Sequence, residues 1–219
     1  MGAHVRAWFT ELLYWLLRCV AWALTHLVCR YRVCGRNNVP RSGAVLIVAN
    51  HLSWYDPILL GVALPRRVWF FTKAQIFDWP VVGWLCQVTG QIPVHRGESD
   101  RTAIERALSY LREGRAMIFF PEGTVERHEQ MIAAHTGVAM LALRSGAMIL
   151  PVAHTGTRHV LRSWKYWFPR VQVQIGTPYK PVLPARVSRK AGLQLITQEV
   201  MEHIAGMLPA EQRGVYEKE

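Results

Sequence analysis

Cysteine is scarce in this 219-residue chain, and the four present (Cys19, Cys29, Cys34 and Cys86) form neither a C-x-x-C pair nor a zinc-type spacing with histidine. That excludes a disulfide-stapled scaffold and leaves free thiols in a reducing compartment as the reading. Charge is also sparse, 19% of residues against 51% hydrophobic, which excludes a disordered chain. Repeats and low-complexity segments are absent. The mean hydropathy of +0.08 is high for a soluble protein, yet too low for several membrane spans of about 20 apolar residues each. A chain of this length buries roughly 70% of its unfolded surface, so one main core is expected rather than two.

Acidic residues are missing from two long stretches. Between Leu12 and Phe77 the one acid is Asp56, set among Arg18, Arg30, Arg32, Arg36, Arg41, Arg66, Arg67 and Lys73; from Gln130 to Gln198 there is none against nine bases. With 26 Lys+Arg to 15 Asp+Glu the formal net charge is +11. Such fields attract polyanions: nucleic acid, anionic lipid headgroups or phosphorylated small molecules. A nucleic-acid reading motif is not recognisable, and nucleic acid would leave the apolar start of the chain unexplained.

That start, residues 4–32, is apolar around most of a helix, with Trp8, Leu12, Trp15, Leu16, Trp22 and Leu27 among its members, but Glu11, Arg18 and Thr25 recur every seven residues as a narrow polar stripe. Arg18 would lie near mid-bilayer in a spanning helix, at a cost of about 2.5–3.5 kcal/mol. A helix in the headgroup plane keeps the stripe wet and the Trp residues at the interface. Residues 1–32 are therefore expected to form a membrane-associating interfacial segment, with a spanning helix and an ordinary core helix as the alternatives.

After the turn-rich Asn37–Gly43 comes Ala44–Ala49, apolar on both faces and β-rich, the pattern of a buried strand in a parallel or mixed sheet. Val68–Phe71, Met117–Phe120 and Met148–Ala153 resemble it. Helices are expected over Ser99–Glu113, with Ser99 as cap, around Met140–Arg144, and over Val187–Met207. Val171–Ile175 alternates Val and Gln and reads as an edge strand with one wet face. Strands alternating with helices give an α/β fold with a mixed, largely parallel sheet flanked by helices.

The chemistry sits at strand ends. In Asn50-His51-Leu52-Ser53-Trp54-Tyr55-Asp56-Pro57, an imidazole acting as general base needs one nitrogen free and the other held as N–H by an acceptor. Positions 51 and 56 diverge by about 140° on a continuous helix, so His51 belongs on the loop and Asp56 in the first helical turn, where the helix dipole favours its charge. In Phe120-Pro121-Glu122-Gly123-Thr124, Gly123 permits close backbone approach and frees main-chain N–H groups for a phosphate or an oxyanion, Thr124 adds a hydroxyl, and Glu122 an acceptor for a substrate hydroxyl. A third run, Gly90–Gly97, delivers Arg96 to the end of a short strand. His135-Thr136-Gly137 and His154-Thr155-Gly156 lack a neighbouring acid in sequence and read as loop residues.

These blocks resemble those of the glycerolipid acyltransferases, the lysophosphatidic acid acyltransferase family. Residues 50–57 match its N-H-x-x-x-x-D-P block, residues 120–124 are similar to its F-P-E-G-T block, the stretch from Lys73 to Gly97 looks like the intervening block with a substrate-binding Arg, and Ile149–Val152 like its Pro-centred final block. The resemblance spans about residues 31 to 160. It implies an acyltransferase domain over residues 33–219 and acyl transfer from acyl-CoA or acyl carrier protein to a lysophospholipid hydroxyl, most directly 1-acyl-sn-glycerol-3-phosphate. It further implies that His51 takes the hydroxyl proton and Asp56 orients the imidazole, while Arg96, Glu122, Gly123, Thr124 and Lys73 bind substrate. No metal or bound cofactor is implied, since a thioester is already activated. The expected location is peripheral or monotopic, at the cytoplasmic face of a membrane bearing anionic lipids, with acyl carrier protein a possible partner. The family often continues F-P-E-G-T with Arg-Ser and carries Lys-x-Gly downstream; here stand Val125-Glu126-Arg127 and His135-Thr136-Gly137, which takes support from a phosphate pocket. An acyltransferase acting on a lyso-aminolipid or glycolipid is the nearest alternative, and a non-enzymatic lipid-binding protein the second.

Overall fold

In the computed structural model, which describes residues 2–95, 100–125, 129–160 and 168–217 with side chains from Trp8 onward, the four both-face apolar runs become the middle of one seven-stranded sheet. The strands are β1 (Arg30–Cys34), β2 (Val45–Ala49), β3 (Val68–Lys73), β4 (Ile92–Val94), β5 (Ala116–Phe119), β6 (Met148–Thr155) and β7 (Arg170–Ile175), in the order β1-β7-β6-β2-β5-β3-β4. Every neighbouring pair is parallel except β6 and β7. β2 lies at the centre with all five residues buried. Leu46 and Val48 join the core on one face and Val45, Ile47 and Ala49 the core on the other, which is why the run shows no polar alternation.

Helices cover both faces. α1 (Gly2–Val28) and α2 (Asp56–Ala63) pack together on one side, α1 also touching α3 (Pro80–Thr89). α4 (Arg101–Arg112), α5 (Gly137–Ser145) and, after the single turn α6 (Thr157–Val160), α7 (Arg189–Ala205) fill the other. α4 is capped by Asp100, whose carboxylate accepts from the Ala103 N–H at 2.9 Å and from the His95 N–H at 3.2 Å; Ser99, expected as the cap, lies outside the described residues.

Three expectations are revised. β7 is not an edge strand: it alternates exposed and buried residues, but β1 pairs along its free side. The edge is β1, which takes Arg30 to Arg32 out of the N-terminal segment expected over residues 1–32; the helix stops at Val28. The polar stripe of α1 faces the body of the protein rather than standing free in water. Glu11 pairs with Arg67, and the Arg18 guanidinium donates to the carbonyls of Gly61 (2.9 Å), Val62 (3.2 Å) and Leu64 (2.7 Å) at the C-terminal end of α2. Thr25 is fully buried with its hydroxyl on Ala21 O and Tyr55 Oη. A cation suits the negative end of a helix, so the stripe docks onto the body. Trp8, Phe9, Leu12, Leu16, Trp22 and Leu27 are left exposed on the outside.

Candidate active site

β2 ends at Ala49, and the chain must leave the sheet there without stranding buried polar groups. Asn50 manages the exit with its side chain: its Oδ1 accepts from the His154 N–H and its Nδ2 donates to the His154 carbonyl, both at 3.0 Å. The amide thus extends the β2–β6 ladder while the main chain turns away. The next residue, His51, is 7% exposed and lies at the carboxyl end of the central strand, where open α/β sheets gather ligands.

The turn from His51 into α2 closes around one oxygen. Asp56 Oδ2 accepts from His51 Nδ1 (2.9 Å), the Leu52 N–H (2.7 Å) and the Ser53 N–H (2.8 Å). The loop-then-helix arrangement read from the spacing is the one observed, Asp56 being the first residue of α2 with Pro57 beside it. Complete burial raises the affinity of this carboxyl for a proton, but the buried imidazole of His154, the His51 contact and the Thr157 hydroxyl outweigh it and hold Asp56 below the usual carboxylate range. An ionised acceptor at Nδ1 fixes the proton on that nitrogen and leaves the lone pair on Nε2 of a residue that lines the cavity. Phe120 stacks on the ring, centroids 4.1 Å apart and planes 17° apart.

Glu122 is nearly buried, and its Oε1 accepts from the His51 N–H at 3.1 Å. It is turned inward onto the backbone of the histidine rather than outward as an open acceptor for a substrate hydroxyl. Gly123 and Thr124 are exposed beside it. Gly123 has φ +68°, a conformation that favours glycine, and a Cβ there would meet the His135 ring at a tight 3.3 Å. The loop is tied to the start of α5 by the His135 N–H donating to Pro121 O at 2.9 Å. Lys73, the last residue of β3, is half-buried and lines the cavity mouth with His51. Arg96 and Arg127 lie outside the described residues.

A cavity of about 360 Å³ runs from His51 between α1, α2, β3 and α3. Its walls are mostly apolar: Leu17 and Ala21, Pro57, Ile58 and Val62, Val68 and Phe70, Val82 and Leu85. Along β3, from Lys73 to Val68, it extends roughly 16 Å at about 3.3 Å per residue. Cys86 also lines it, its thiol kept protonated by burial, which outweighs a hydrogen bond with Thr72. α1 and α3, which touch, also carry exposed apolar side chains, among them Trp79, Val81 and Trp84 around α3, and Trp54 and Ile58 of the cavity lining are exposed too.

The sequence expectation of a loop position for His154, with no acid beside it, is corrected by the structure. His154 lies instead on β6, 1% exposed, with Nε2 2.6 Å from Asn50 O and 3.6 Å from Asp56 Oδ2. Burial pulls its proton affinity down, against the opposing pull of Asp56 and of the Asn50 carbonyl. The signal that could have placed it is its position directly after a both-face buried run, where the strand continues rather than ending.

Residues 30–155, more than half the chain, match the family model described as Acyltransferase. The chain is 37% identical over 153 residues to a lyso-ornithine lipid O-acyltransferase of Pseudomonas aeruginosa, covering 69% of this chain and 56% of that protein, so it spans about half the relative's length. To a 1-acyl-sn-glycerol-3-phosphate acyltransferase of Bacillus subtilis it is 25% identical over 174 residues, 79% of this chain and 85% of that one. The crystal structure of the 1-acyl-sn-glycerophosphate (LPA) acyltransferase PlsC from Thermotoga maritima superposes with a TM-score of 0.70 at 22% identity, over 94% of this chain and 84% of that one; the two share the fold.

Proposed function

The chain belongs to the acyltransferase family, and from that premise we propose that it moves a fatty acyl group from an acyl thioester, carried by CoA or acyl carrier protein, to the free hydroxyl of a lyso-lipid at a membrane surface. The observation that carries this is an imidazole held at Nδ1 by a buried carboxylate 2.9 Å away, at the mouth of an apolar cavity of about 360 Å³. His51 Nε2 takes the proton of the acceptor hydroxyl as the oxygen attacks the thioester carbonyl carbon. Asp56 stabilises the imidazolium that forms. Collapse of the tetrahedral intermediate breaks the C–S bond, and the departing thiolate takes the proton back from His51, which returns the enzyme to its starting state. A positioned base of this kind contributes about 10²–10⁴-fold. A tetrahedral saturated chain advances about 1.25 Å per carbon, so the cavity length suits an acyl chain of roughly a dozen carbons. Lys73, which lines the same cavity as His51, and Gly123, Thr124 and Arg96, from the sequence, are assigned to hold the acceptor headgroup or the thioester oxygen. No metal or bound cofactor is needed for this sequence of steps.

The face formed by α1 and α3 supports a monotopic placement. Trp8 is 68% and Leu27 72% exposed, and so many large exposed apolar side chains on these two helices are better satisfied in lipid than in water. The basic stretches favour a leaflet with anionic lipids, as at the cytoplasmic face.

The acceptor is proposed to be 1-acyl-sn-glycerol-3-phosphate. A second reading, a lyso-ornithine lipid, is favoured by the Pseudomonas relative and by Val125, which puts an aliphatic side chain where the resemblance calls for a cation. The test is release of free thiol from acyl-CoA by the purified protein, across both acceptors and an acceptor-free control. Higher kcat/KM for the phosphate acceptor supports the first reading, preference for the ornithine lipid replaces it with the second, and no acceptor-dependent release refutes acyl transfer.

A further inference from the structure

We infer that His154 is a positioning residue for the His51–Asp56 pair, acting through the carbonyl of Asn50. The inference rests on the proposed role of His51 as base. Its ground is the set of contacts that converge on one buried ring. The Asn50 carbonyl cannot donate, so at 2.6 Å the hydrogen belongs to His154 Nε2, which donates to it. That fixes the tautomer and leaves Nδ1 as the acceptor facing the Thr157 hydroxyl at 3.5 Å. Asn50 O belongs to the peptide unit whose N–H is that of His51, and this N–H donates in turn to Glu122 Oε1. One peptide is thus gripped at both ends, by the β6 histidine at its oxygen and by the loop carboxylate at its nitrogen.

The same Nε2–H lies 3.6 Å from Asp56 Oδ2. The ring therefore fills the angle between the backbone that carries the base and the carboxylate that orients it. Two further bonds between the His154 backbone and the Asn50 side chain lock the register of the two strands at this point. A ring 1% exposed, with all of its polar atoms directed at Asn50, Thr157 and Asp56, touches no substrate. What it sets is the direction in which the His51 imidazole leaves the strand, and a misplacement of about 1 Å at a reacting group can cost 10²-fold in rate.

The experiment compares four variants of the full chain, using myristoyl-CoA and whichever lyso-lipid the wild-type protein acylates, with kcat expressed per folded molecule. His154→Phe keeps the volume and removes the donor; kcat is expected to fall about 10–10²-fold with the KM for myristoyl-CoA changed less than about twofold. His154→Gln places an amide N–H at the same reach as Nε2 and is expected to recover to within about fivefold of wild type. His154→Asn carries the same group one methylene short and is expected to stay as slow as the Phe variant. A purely structural role would lower the melting temperature of all three and leave kcat per folded molecule alike in Gln and Asn; that result overturns the proposal, and the Gln–Asn comparison decides it even if the Phe variant fails to fold. His51→Ala separates the two claims. Turnover surviving in that variant refutes the base itself, whereas an inactive His51→Ala beside a fully active His154→Asn refutes only the positioning role.

Discussion

Replacing Asp56 by Asn removes one unit of charge and almost no volume from a site where both can be followed. The carboxylate oxygen receives three donors within 2.9 Å, and an amide carbonyl can still receive them, so the turn should survive with a stability loss of about 1–2 kcal/mol. The kinetic loss is larger. The imidazolium formed as the hydroxyl gives up its proton faces the carboxylate with charge centres about 4 Å apart, worth about 4 kcal/mol at an effective dielectric near 20. At 1.36 kcal/mol per tenfold, that is about 10³-fold in kcat; the equivalent change in Ser-His-Asp hydrolases costs about 10⁴-fold, where the wrong tautomer is favoured. The assay is thiol release from acyl-CoA at saturating acceptor, with circular dichroism melts on the same preparations. The expected result is a loss of about 10³-fold in kcat with the acyl-CoA KM within about threefold of wild type. A loss under tenfold, or one confined to KM, would refute the claim that Asp56 acts as counter-ion to a protonated His51.

Other perturbations follow from the same geometry. Arg18→Met strips three hydrogen bonds from the end of α2; because the guanidinium is partly wet, a loss of about 1–2 kcal/mol is expected, seen as a drop of roughly 2–8 °C in melting temperature. Gly61 lines the cavity on α2, and a Cβ there meets only Val68 Cγ2 at an ordinary 3.9 Å. Gly61→Leu should fold normally and shift the preferred acyl-CoA to shorter chains, and an unchanged chain-length profile would place the acyl group elsewhere. Stability should also fall in acid. The unfolded chain protonates position 154 below about pH 6.5, while burial in the folded chain lowers the proton affinity of that ring, so the folded state loses ground as pH drops through that value. Asp56, held below the usual carboxylate range, adds a second loss only below about pH 4. Melting curves of His154→Gln between pH 7 and pH 5 should therefore be flatter than wild type by up to about 1.4 kcal/mol per pH unit.

Much of this architecture is legible in the chain because burial on both faces leaves an unmistakable composition. Val45 to Ala49, Met117 to Ile118 and Ile149 to Val152 have no wet side, and all became central strands. The relation of His51 to Asp56 was legible for a geometric reason, since five residues on a continuous helix cannot face one another and a loop joined to a first turn can. What did not show was anything that depends on a distant partner. β1 carries Arg at alternate positions and looks like the tail of the preceding helix until β7 supplies its ladder. The α1 stripe reads as a wet face because Glu11, Arg18 and Thr25 find Arg67, the α2 carbonyls and Tyr55 only in the folded chain. His154 follows the same rule: its acid is 98 positions away in sequence and 3.6 Å away in space.

The central claim is that one imidazole, held by its neighbouring carboxylate, removes the proton of a lipid hydroxyl. The most direct measurement is acceptor-dependent thiol release by His51→Ala beside wild type, on protein shown by its melting curve to be folded. A fall of at least about 10²-fold, with the melting temperature little changed, is the predicted result. Turnover within a few-fold of wild type in the alanine variant would contradict it.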